Sequence, residues 1–110
     1  MTGAAEPDPP AAVSSSGAAP PALTRVVTIA NKRGLHARAA AKLATIAEQF
    51  NASVDVLRDG QTVSARSIMG LMMLGAGLGA TIEFRAEGWD AREALDALTA
   101  LVESGFNESG

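Results

Sequence analysis

SVDVLRDGQTVSA occupies residues 53–65. Two alternating segments flank Asp59-Gly60. Alternation with period two marks strands that bury one face. An Asp-Gly pair accepts the left-handed backbone that a two-residue hairpin turn demands. The stretch reads as a β-hairpin, and it leaves one apolar face that other elements must cover.

The flanking sequence supplies those elements. Upstream, TRVVTIAN (24–31) is β-branched and predicts a strand. Residues 37–50 carry Ala40, Leu43, Ala44, Ala47 and Phe50 at helical spacing, which predicts an amphipathic helix with a small-residue face. Downstream, SIMGLMML (67–74) predicts a short helix with Ser67 as its N-cap. GAGLGA then predicts a loop, and ATIEFRA (80–86) a strand with Ile82 and Phe84 on one face. Asp90-x-x-Glu93 has the spacing of a capping box, opening a last helix whose buried stripe is Ala94, Leu95, Leu98, Leu101 and Val102. Gly105 suits the C-terminal stop. The order β-α-β-β-α-β-α is most simply an α+β, two-layer domain, a single sheet with helices on one face.

All five prolines lie within residues 1–22, among Ala, Ser and Gly. Such a composition buries too little apolar surface to offset the entropy of ordering. Residues 1–22 are therefore expected to be a disordered Ala/Pro-rich tail, and 23–110 the folded domain.

Composition removes several functions. The chain of 110 residues has no cysteine and one histidine, so disulfides, thiolate nucleophiles and the usual zinc ligand sets are excluded. No metal and no cofactor are expected. No apolar run is long enough to span a bilayer, and the N-terminus lacks the basic start and apolar stretch of a signal peptide. A cytoplasmic protein without membrane contact is the expectation. Net charge is −3 but unevenly spread: residues 25–66 hold seven Arg or Lys against three carboxylates, and 67–110 hold two Arg against seven carboxylates. The basic half attracts an acidic partner or a phosphate, or simply makes a solvated surface. With three Phe, one Trp and no Tyr, stacking of nucleic-acid bases is poorly supported.

The one histidine, His36, stands in GLHARAAAKL (34–43). Gly34 permits a tight turn out of the first strand, which places His36 at or just before the first helical turn. Unpaired N–H groups there favour an anion by about 0.3–1 kcal/mol when exposed. Arg38 adds a fixed charge suited to phosphate oxygens. A neutral imidazole nitrogen beside such a site can attack phosphorus and hold the phosphoryl group covalently. The positive surroundings also disfavour the imidazolium form. Spacing alone leaves the other reading open, a histidine that only caps or decorates the surface. Ser67 likewise reads as a plain N-cap or as a phosphorylation site, where added negative charge would be tolerated by the helix start. Met69, Met72 and Met73, with Ile68, Leu71 and Leu74, are many for a short helix to bury on one side, which reads either as an adaptable surface with some of them exposed or as a stretch packed wholly into the core. GAGLG (75–79) is not a dinucleotide fingerprint, because it closes a helix and leads into a strand.

Together, GLHAR (34–38), SIMGLMML (67–74) and the element order resemble HPr, the histidine phosphocarrier family of the bacterial phosphoenolpyruvate phosphotransferase system. The match covers about residues 24–108. The opening IANKRGLHARAAAKL and closing ESGFNE are more similar to the nitrogen-related branch, NPr, than to the sugar-transport branch. The resemblance implies an open-faced β-sandwich, a four-stranded antiparallel sheet in order 1-4-2-3 with three helices on one face. It implies phosphorylation of His36 on Nδ1, with Arg38 assisting transfer. Enzyme I is then the donor, an EIIA domain the acceptor, and the protein a monomeric carrier rather than a turnover enzyme. Ser67 matches a regulatory serine, the target of HPr kinase/phosphorylase where that enzyme exists. Ile68, Met69 and Met72 match the neighbourhood of the partner-binding patch. Two departures are plain: Ala39 stands where the family usually has proline, and Ser64 where asparagine is common. The alternative of a different class is a ferredoxin-like regulatory module that binds a small ligand and needs neither His36 nor Arg38.

Overall fold

The computed structural model describes residues 22–108. The expected tail therefore lies, but for Ala22, outside the described residues. Among these residues four strands form the sheet: β1 (Leu23–Thr28), β2 (Ala52–Arg58), β3 (Gln61–Ser64) and β4 (Thr81–Gly88). Three helices accompany them: α1 (Ala37–Glu48), α2 (Ile68–Met73) and α3 (Ala91–Glu103). The strand order is β1-β4-β2-β3, antiparallel throughout. The α+β open-faced sandwich is thus the observed architecture.

The hairpin forms as its sequence demands. Arg58 pairs with Gln61, and Asp59 and Gly60 both take positive φ, 48° and 81°. Both central residues of a type I′ turn need that conformation, which asparagine, aspartate and glycine accept at least cost. Alternation then aims Val54 and Val56 inward with Val27, Ile82, Phe84 and Ala86, while Val26, Ser53 and Thr81 face out. Helix α3 lays Ala94, Leu95, Leu98, Leu101 and Val102 onto β1, β4 and β2. Helix α1 buries Ala39, Ala40, Leu43, Ala44 and Ala47. Its small side chains let α1 approach α2 and α3 closely. Burial of each large apolar side chain contributes about 1.5–3 kcal/mol.

Several details differ from the sequence expectation. β1 ends at Thr28 rather than residue 31, because Ile29 leaves the ladder to exchange backbone bonds with Ala80 and Gly79. α1 stops at Glu48, so Phe50 packs against the core from beyond the helix. The capping box does not form. Asp90 holds the N-cap position of α3, but its carboxylate accepts the N–H of Asn51 at 2.7 Å and makes no cap bond. A long-range donor has outcompeted the local one. The C-terminus of α3 is a Schellman stop: Gly105 (φ 70°) donates to Val102, and Phe106 donates to Leu101 O at 2.9 Å. Phe106 is fully buried and anchors the turn that carries residues 107–108 back toward the start of α1.

Candidate functional site

The site begins with backbone. Gly34 takes φ +67°, and a Cβ built there would lie 2.5 Å from Ala76 O and 2.7 Å from Gly77 Cα. Leu35 N–H donates to that same Ala76 oxygen at 2.9 Å, and His36 N–H donates to Gly34 O at 2.9 Å. Part of the GAGLG run thus buttresses the turn before the histidine. Sequence reading placed the run in a loop and missed this contact, since nothing local links residues 34 and 76.

The turn delivers His36 to the N-cap of α1, in extended conformation and with no side-chain cap bond. Its carbonyl accepts the first helical bond, from Ala40 N at 2.8 Å. Helix α1 therefore starts cleanly with Ala39 where the family usually has proline. Ala39 is itself fully buried in the packing of α1. The N–H groups of the first turn precede any intrahelical partner, and no acidic residue stands in that turn. Arg38 is exposed one residue into the helix, and among the described residues it has no ion-pair partner. The positive end expected from sequence is therefore present.

What sequence reading missed is a carboxylate. Glu108 Oε2 meets His36 Nε2, while Glu108 Oε1 accepts from Asn31 Nδ2 at 3.1 Å. The same Asn31 amide also donates to Gly34 O at 3.0 Å. Lys42 Nζ donates to Phe106 O at 2.7 Å, which pins the C-terminal turn to α1. Glu108 is held below the usual carboxylate range, first by its bond with His36, then by Asn31 and the nearby Arg33 charge, with desolvation opposing. The field at the ring is thus not purely positive, contrary to the expectation from sequence. An ionised carboxylate only accepts, so the facing Nε2 carries a proton, and in a neutral ring the lone pair then falls on Nδ1. Gly105 was the one available signal, a chain reversal just before Glu108, and it does not say where the chain goes next.

The second motif lies on α2. Ser67 caps it, its Oγ accepting from Gly70 N at 3.0 Å. Gly70 is required by close packing, because a Cβ there would lie 2.9 Å from Ser67 Oγ and 3.0 Å from Val63 Cβ. Leu71 and Leu74 are buried, whereas Ile68, Met69, Met72 and Met73 are exposed, Met69 and Met73 by 70% and 75%. Leu78 adds to the exposed apolar residues of the following loop. Of the two readings of α2, the split into core and surface is therefore the one observed. No helix among the described residues is long and apolar enough to cross a membrane.

A family model described as the PTS HPr component phosphorylation site matches residues 23–104. Among individual proteins, the chain is 51% identical over 86 residues to the phosphocarrier protein HPr of Cupriavidus necator, covering 78% of this chain and 97% of that one. It is 49% identical over 87 residues to the phosphocarrier protein NPr of Shewanella violacea, covering 79% and 96%. Among solved structures, HPr of Thermoanaerobacter tengcongensis superposes with a TM-score of 0.76 at 42% identity, covering 80% of this chain and 99% of that one. HPr of Bacillus anthracis gives 0.71 at 44%, covering 74% and 96%.

Proposed function

Because the chain belongs to the PTS HPr family and is a phosphocarrier of the phosphotransferase system, we propose that His36 is the residue that carries the phosphoryl group, on Nδ1. The observation that carries this reading is the Glu108–His36 contact at the N-terminus of α1. It occupies Nε2 and leaves the Nδ1 lone pair for attack.

In the forward step, Nδ1 attacks phosphorus while the bond from phosphorus to the donor breaks, its electron pair leaving with the donor. The ring becomes an Nδ1-phosphorylated imidazolium whose Nε2–H faces Glu108. The cation and the carboxylate then stabilise each other, as a buried carboxylate supports imidazolium in acyl transfer. Arg38 and the free N–H groups of the first helical turn neutralise the phosphoryl oxygens. Onward transfer reverses these events, with the acceptor as nucleophile and the His36 nitrogen as leaving group. No metal is needed to balance the step. Enzyme I is the proposed donor and an EIIA domain the proposed acceptor, both docking on Ile68, Met69 and Met72 beside the site. Ser67 is the proposed regulatory position: a phosphate on its Oγ would place about −1.5 to −2 charge against that apolar patch. The ferredoxin-like ligand module is not favoured, since the relatives are phosphocarriers over nearly their whole length.

The test is incubation with phosphoenolpyruvate and Enzyme I. Wild-type chain gains an acid-labile phosphate, and His36→Ala gains none while remaining folded. Equal labelling of the variant would defeat the assignment.

A further inference from the structure

We propose that Asn31 is a positioning residue for phosphoryl transfer: its side-chain amide holds the Glu108 carboxylate on His36 Nε2, and so fixes the ring tautomer and orientation that present Nδ1. The proposal rests on His36 being the carrier residue.

One NH2 group serves two acceptors. Asn31 Nδ2 bonds Gly34 O at 3.0 Å and Glu108 Oε1 at 3.1 Å. Gly34 O in turn accepts from His36 N at 2.9 Å. Asn31 therefore grips the approach to the histidine at two points, the backbone before it and the carboxylate on its ring. Both oxygens of Glu108 are engaged, one by Asn31 and one by the imidazole, so the carboxylate cannot rotate without breaking a bond. Without the amide, Glu108 is free to turn toward solvent and the ring to exchange tautomers.

A second observation points the same way. Among the described residues Asn31 is the one polar residue in the buried set, only 6% exposed, and its Oδ1 is buried with no partner among them. Stranding a carbonyl oxygen is destabilising, and filling space alone would be done better by an apolar side chain of similar size. The orientation with Oδ1 stranded is the one that aims both N–H bonds at acceptors, since the reverse would set oxygen against oxygen at Gly34 and Glu108. The amide is thus placed for donation, at a cost the packing does not recover. Asn31 touches neither phosphorus nor Nδ1; it acts through Glu108 and the turn.

The experiment uses the full chain and three variants: Asn31→Ala, Asn31→Asp, and Asn31→Asp combined with Glu108→Gln. Single-turnover transfer from phosphorylated Enzyme I is followed against carrier concentration, with 15N signals of the His36 ring and thermal unfolding recorded in parallel. Asn31→Ala is expected to lower the maximal transfer rate about tenfold, with the half-saturating concentration unchanged because the α2 patch is untouched. The ring nitrogens should lose their wild-type separation into N–H and lone-pair signals. Asn31→Asp should be worse, with two carboxylates in contact. The double variant should transfer faster than Asn31→Asp but remain below wild type, because the new amide at position 108 donates to the new carboxylate at 31 while its carbonyl oxygen still accepts from the ring, and the donation to Gly34 O stays lost. A double variant no faster than Asn31→Asp would overturn the proposal, as would wild-type rate and ring signals in Asn31→Ala. Should Asn31→Ala fail to fold, the comparison of single and double Asp variants decides. Labelling of His36→Ala would sink the carrier reading itself; unlabelled His36→Ala beside full-rate Asn31 variants would remove only the positioning role.

Discussion

Glu108 and His36 meet side chain to side chain although they lie 72 residues apart in the chain. One comes from the turn after the last helix and the other from the N-cap of the first. The contact exists because Phe106 and Lys42 fix the C-terminal turn on α1, and because the Gly34 turn presents the ring to it.

The contact has a pH dependence of definite sign. Glu108 has a folded-state value below its ordinary one, so its contribution to stability is present above the unfolded-state value and is lost as pH falls through the folded-state value. Glu108→Gln is expected to lower the unfolding temperature slightly at pH 7 and to match wild type in strong acid. Thermal unfolding of both proteins at several pH values checks this. A gap that persists unchanged into acid would show that the carboxylate charge is not the cause.

Arg38 is exposed and unpaired among the described residues, so its removal costs the fold little. Arg38→Ala should leave the folding stability within the range of ordinary surface changes, about 0.5 kcal/mol. Transfer to His36 should slow by about tenfold to a hundredfold, as expected when one charge-assisted contact to a transferring phosphoryl group is lost. Rapid-quench measurement of the phosphorylated protein tests it.

Two glycines with similar φ should respond very differently to alanine. Gly34 has the Ala76 carbonyl within 2.5 Å of a built Cβ, whereas nothing lies within 4 Å of one at Gly60. Gly60→Ala should cost about 1 kcal/mol, from backbone strain alone. Gly34→Ala should cost more than about 3 kcal/mol and displace His36, because backbone on both sides must move. Chemical denaturation of both variants gives the comparison, and equal losses would refute the steric argument.

Ser67 caps α2 through a single bond to Gly70 N–H. Ser67→Ala should destabilise by about 1 kcal/mol, while Ser67→Asp should retain the cap and the stability. With respect to partners the order reverses: Ser67→Asp and Met69→Asp should weaken Enzyme I binding, and Ser67→Ala should not. Calorimetric titration beside thermal unfolding separates the two effects. Undiminished binding by Met69→Asp would move the docking surface elsewhere.

The hairpin and both apolar stripes were legible because each depends on neighbours in the chain. Asp59-Gly60 meets a local φ requirement, and the α3 stripe repeats at the helical period. The Asp90 cap failed for the converse reason, since Asn51 supplied a donor that no local pattern records. The same limit applies to the site. Sequence placed His36 and Arg38 at a helix start, where the structure has them, with spacing alone leaving their role open, yet passed over Asn31 and Glu108.

By itself, then, the sequence determined the order of elements, the turn chemistry and which histidine is available, all set by short-range sterics and periodic burial. Only the tertiary structure decided which ring nitrogen is occupied. That depends on bringing Glu108, Asn31 and His36 within hydrogen-bond reach, which the core packing of Phe106 and the close approach of Gly34 to Ala76 enforce together.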